Sequence, residues 1–192
     1  MDKFVMDEAQ FISWIIAMVA GIVTGIVAIS NFRKSIKERK HDLLWKQANA
    51  AKEFIHEIHT NKYAAEAVSM LDWFIITKYE TQNKIEQEIN YSEVLIAMPK
   101  ILDRSFNARE HYILDCFDWF FYYIDRTEQH IIDGLFLYEN VKYIFYPYYL
   151  KIAEHYTLYE SFMKERYYLL APNFWARYKN DPSFFTNTGS KS

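Results

Sequence analysis

Apolar positions along this chain follow two different patterns. In residues 11–30, FISWIIAMVAGIVTGIVAIS, they run together without a charged residue, and only Ser13, Thr24 and Ser30 are weakly polar. At 1.5 Å of rise per residue, such a helix covers about 30 Å, the thickness of a bilayer's hydrocarbon core. An amphipathic core helix would carry a polar stripe, and none is present. A secretory signal would have a positive start and a shorter apolar run. The preceding MDKFVMDEAQ instead sets Asp2, Asp7 and Glu8 against Lys3. A retained transmembrane helix over 11–30 is therefore expected.

Beyond this segment the pattern becomes helical and amphipathic. Ile36, Leu43, Leu44, Ala48, Ala51, Phe54, Ile55 and Ile58 recur with a period near 3.6, with Gln47 as a polar member. That predicts one helix from about residue 8 to 59, a stiff shaft holding the next domain near the membrane. Asn61 marks a break, and 63–79 read as a second helix. Residues 80–104 are less regular: TQNKIEQEIN is polar, and YSEVLIAM is a short apolar turn or helix stopped by Pro99. A long helix is expected from Ser105, with Phe106, Ile113, Phe117, Phe120, Ile124, Thr127 and Ile131 on one face and Gly134 as its stop. Two further helices come next, the first with a kink or early break at Pro147. Pro172 then opens a short terminal helix, and SFFTNTGSKS reads as a loose tail.

Glycine usage sharpens the fold class. Of four glycines, Gly21 and Gly25 lie in the apolar segment and Gly189 in the tail, which leaves Gly134 alone in the folded domain. Strand-and-turn architectures depend on glycine at tight turns. The expectation is an all-α protein: a short outer tail (1–10), a transmembrane helix (11–30), a basic juxtamembrane shaft (31–60), a cytoplasmic multi-helix bundle (61–180) and a tail (181–192).

Charge adds an orientation. Arg33, Lys34, Lys37, Arg39 and Lys40 come after the apolar segment and only Lys3 precedes it. Positive flanks stay in the cytoplasm, so the N-terminus is expected outside and the bulk of the chain inside, at an inner (cytoplasmic) membrane. The same cations suit anionic headgroups. Net charge is −3, so the chain outside that run is acidic, which argues against a nucleic-acid partner. A lone Cys116 permits no intrachain disulfide and suits a reducing compartment. Asn90-Tyr91-Ser92 matches a glycosylation sequon on the side that would never meet the machinery.

Within the apolar segment Ser13, Ala17, Gly21 and Gly25 recur every four residues. Small residues at that spacing let a second span approach closely, which points to a homo-oligomer packed through Ala17, Gly21 and Gly25; ordinary Gly and Ala usage in a membrane helix is the alternative.

Candidate chemistry is sparse. His56 and His59 in HEIH lie three apart, not the four of a zinc-protease helix, and Glu53 with His56 is half of a di-iron signature that lacks its second half. Arg126 and His130 sit closer together than in helical RNases that pair such residues. His111, Asp115, Asp118, Tyr122, Asp125 and Gln129 share one face of the long helix. They form either a carboxylate site or simply its wet side. Glycine is too scarce for a phosphate loop, and Asp115 beside Cys116 disfavours a thiolate. No metal or other cofactor is expected. The dense aromatic runs FDWFFYY and YIFYPYY read as core, with the tyrosine excess also suiting a surface that meets a protein partner.

The run FDWFFYYIDRTEQHIIDGLFLYENV and the later PNFWARYKN resemble a family of short bacterial membrane proteins known as a domain of unknown function. The resemblance rests on the aromatic run, Ile124-Asp125-Arg126 with Glu128, Gly134-Leu135 and Trp175. It covers roughly the second half of the chain, while the first half matches in layout only. It implies one N-terminal span, a basic exit and a helical cytoplasmic domain, and it carries no catalytic residues. Three function classes are open: a membrane-anchored interaction or scaffold protein, a toxic or anti-phage effector assembling in the bilayer, and a hydrolase or nuclease using the acidic stripe or Arg126 and His130.

Overall fold

The computed structural model describes residues 8–72, 77–80, 86–103 and 105–184. The chain divides into two compact units, Met1–Lys46 and Gln47–Ser192. Helix α1 spans Glu8–Thr60, close to the limits its periodicity predicts. In the first unit it presents every apolar residue from Phe11 to Ile29 to the outside, and the Thr24 hydroxyl donates to the Ala20 carbonyl at 2.8 Å. The Thr24 hydroxyl is thereby satisfied within its own helix.

Among its described residues the second unit is all-α apart from one short antiparallel pair of strands. The end of α1 contributes Ala51 and Ile58 to its core. Helix α2 (Lys62–Leu71) starts where the Asn61 side chain accepts from the Ala64 amide at 3.0 Å. It stops eight residues before the predicted end at 79. Asp72 turns extended, residues 73–76 of the predicted helix lie outside the described residues, and strand β1 (Thr77–Glu80) pairs antiparallel with β2 (Glu86–Ile89), Thr77 opposite Ile89. Helix α3 (Tyr91–Ala97) carries a capping box of Asn90 and Glu93, and a single turn, α4 (Lys100–Asp103), succeeds Pro99.

Helix α5 (Ala108–Ile132) is the centre of the unit and packs against α2, α3 and later α8. It starts three residues after the predicted Ser105, because Asn107 and Glu110 form a second capping box. Ile113, Phe117, Phe120, Ile124 and Thr127 of the predicted inward face are buried, joined by Leu114, Cys116, Phe121, Tyr123 and Glu128. Its end is a Schellman turn. Gly134 has φ of 72°, the Leu135 amide donates to the His130 carbonyl at 2.9 Å, and the Gly134 amide donates to that of Ile131 at 3.2 Å. Helix α6 (Lys142–Glu154) runs through Pro147 without breaking. Helix α7 (Tyr156–Glu165) precedes α8 (Ala171–Asn180), which has Pro172 in its first turn. The core of this unit is aromatic, with Phe117, Phe120, Phe121, Phe162, Phe174, Trp175 and Tyr178 fully buried.

Candidate functional site: an apolar stem and a closed aromatic core

The first unit holds the predicted membrane residues on one exposed helix. An 18-residue window of α1 has a mean hydropathy of 2.4 and none of it is buried, so the helix is long and apolar enough to cross a membrane. Ala17, Gly21 and Gly25 are exposed, and a Cβ built on either glycine meets nothing within 4 Å. Arg33, Lys34, Lys37, Arg39 and Lys40 are also exposed, with Lys34 Nζ 3.9 Å from Glu38 one turn on.

In the second unit the candidate chemical groups are held by structural partners. Asp125 of the polar stripe accepts from the Leu170 and Ala171 amides at 2.7 and 2.9 Å. It lends a negative charge to the start of α8 and satisfies donors that the helix itself cannot. Asp118 accepts the Tyr168 hydroxyl at 2.8 Å and lies 3.5 Å from Arg166. His111 and Asp115, 3.7 Å apart, sit on the exposed side of α5. The stripe is a wet face whose inner members tie α5 to the α7–α8 connection.

His130 packs edge-on to Phe54 at 4.9 Å and against Phe136 at 5.5 Å, while Arg126 is exposed. Burial first, then the Arg126 charge, hold the imidazole below its ordinary pKa, with Asp133 and Glu57 pulling the other way. His56 and His59 are exposed, and among the described residues no three His, Cys, Asp or Glu side chains converge as metal ligands. Cys116 is buried, and burial followed by the Glu66 carboxylate push its thiol well above the usual range, as befits a packing residue.

Several tight contacts escape sequence reading. Glu128, buried on α5, takes two hydrogen bonds of 2.7 Å from Arg177 on α8. The Lys142 ammonium is enclosed by Glu139, Asp181 and Ser183 and by the rings of Tyr138, Tyr143 and Phe184. This pins the turn after α8, where Phe184 stacks on Tyr146 at 4.0 Å; that turn, Pro182–Phe184, replaces the start of the predicted loose tail. A mostly apolar groove of about 470 Å³ opens between α6 and α8. Tyr149, Ala153, Tyr156, Trp175, Ala176 and Lys179 line it, so it offers a surface without an acid, imidazole or thiol. At the end of α7 Tyr167 occupies the left-handed position of a second Schellman turn, with φ of 61°. Its amide donates to Lys164 and that of Tyr168 to Met163. Among the described residues of this unit, Tyr167 and Leu169 are the most exposed large apolar side chains, at 83% and 76%.

No family model, curated protein or solved structure matches the chain.

Proposed function

We propose that the protein is a single-pass, membrane-anchored helical interaction protein that self-associates through its span. Its N-terminus lies outside and its helical unit in the cytoplasm. The observation that carries this reading is the uncovered apolar run of α1 between Phe11 and Ile29, succeeded at once by five cations. Uncovered apolar surface of this extent is costly in water and costs nothing in hydrocarbon. The cations oppose translocation of the helical unit C-terminal to them. The open space at Gly21 and Gly25 favours close approach of a like helix. The exposed Tyr167 and Leu169 suit a protein partner of the cytoplasmic unit, and the layout is that of the bacterial family which the aromatic run resembles.

The test is Gly21→Leu with Gly25→Leu in the full chain, reconstituted in lipid vesicles with donor- and acceptor-labelled copies. Energy transfer between labels is expected in the parent protein and is expected to fall about tenfold in the variant. Transfer equal in both would remove these glycines from the contact, and its absence from the parent would reduce the span to an anchor. The effector reading shares the same stem. It gains ground only if expression of the parent depolarises cells and the double variant does not.

A further inference from the structure

We infer that α1 pairs with a second copy of itself through a seven-residue seam running from Ile15 to Ile36, out of the apolar segment and into the basic one. This rests on the self-association just proposed; it keeps Gly25 in the contact and moves the rest of it off Ala17 and Gly21. Ile15, Ile22, Ile29 and Ile36 are spaced seven apart on one continuous helix, with Met18, Gly25 and Phe32 between them at three and four. That is the a and d pattern of a left-handed coiled coil, with β-branched residues at a. All the large members are exposed, Phe32 at 67% and Ile36 at 51% among them, although both sit beside Arg33, Lys34 and Lys37.

The other rows of the helix do not persist. Ile12, Val19 and Ile26 lead to Arg33; Ile16, Val23 and Ser30 lead to Lys37; Ala20 and Val27 lead to Lys34. Only the row of Ile15 stays apolar through the basic run to Leu43. The occupant is set by topology. Copies inserted under one charge rule are parallel, so like residues face each other in register. Arg39 takes the d position after Phe32, where two like charges would meet, and this ends the seam at Ile36. Flanking g and e′ positions pair Ala28 with Arg33 and Ser35 with Lys40, so no like charges oppose within the seam. A right-handed crossing on Ala17, Gly21 and Gly25 would splay the helices beyond the bilayer and leave Phe32 and Ile36 in water. A left-handed seam covers them.

The test is oxidative crosslinking of the full chain in native membranes, with single cysteines from position 15 to 36 in a Cys116→Ala background. The seam predicts maxima at 15, 18, 22, 25, 29, 32 and 36, about fivefold above 27, 30 and 34. Maxima at 17, 21 and 25 with none at 29, 32 or 36 would overturn the seam and leave self-association standing on the small residues. Crosslinks at 22 and 29 but not at 32 and 36 would also overturn it, since headgroups would then cover the latter pair. A flat profile would remove both the seam and the self-association.

Discussion

Removing either partner of the Glu128–Arg177 pair should have unequal effects. The Glu128 side chain is 4% exposed and that of Arg177 36%, while two hydrogen bonds of 2.7 Å join them. In Arg177→Met the hydrocarbon stem stays, but a buried carboxylate loses its counter-charge. Breaking a buried pair in this sense costs about 3–5 kcal/mol. In Glu128→Gln the amide still accepts from Arg177, whose outer third keeps water, so the loss should be about 1–2 kcal/mol. At about 3 °C of Tm per kcal/mol for a unit of this size, the two variants should melt roughly 10–15 °C and 3–6 °C below the parent. The double variant Glu128→Leu with Arg177→Met strands no charge and should recover to within about 2 kcal/mol of the parent. Thermal unfolding of the full chain in detergent micelles, monitored by near-UV circular dichroism, reads all three. Equal losses in the single variants, or a double variant no better than Arg177→Met, would refute the unequal burial on which this rests.

Other consequences concern the same unit. His130 has a folded pKa below its unfolded one, so its contribution is fully present above about pH 6.5 and is lost as pH falls through the lower folded value. Melting temperature should therefore drop between pH 7 and pH 5, and His130→Phe, retaining the packing on Phe54 and Phe136, should flatten that drop. Asp125→Ala removes the acceptor at the start of α8 and should cost about 0.5–2 kcal/mol, whereas Asp115→Ala on the outer face should stay within about 0.5 kcal/mol. Cys116 should resist alkylation by a maleimide in the folded protein and react at once in denaturant. Tyr167→Gly should raise stability by about 1 kcal/mol by relieving a left-handed backbone; an unchanged or lower Tm would show that the tyrosine ring itself holds the turn.

Features written in neighbouring residues were legible in the sequence. The ends of α1, the inward face of α5 and the stop at Gly134 stem from periodicity, capping and a positive φ, and each involves residues within a turn or two of one another. The strand at Thr77–Glu80 is not legible, because by periodicity an apolar run such as LDWFIITKY fits a helix or a strand equally well. Partnerships across the chain were illegible. Asp125 serves amides of Leu170 and Ala171, and Lys142 meets Asp181 and Ser183, at separations no local pattern encodes. The carboxylates that looked like a site on α5 are therefore distinguished from solvent-facing ones only by what the fold brings to them. Tyr167, at a position glycine favours, gave no sequence signal because nothing in RYYLL marks a helix end.

The proposed topology is a membrane-crossing stem with the helical unit on its cytoplasmic side. Two single-cysteine proteins in the Cys116→Ala background, Lys3→Cys and Lys179→Cys, test it with an impermeant maleimide applied to spheroplasts. Labelling of position 3 in intact spheroplasts, and of position 179 only after lysis, is the predicted result. Labelling of both before lysis, or release of the protein from membranes by alkaline carbonate, would contradict it.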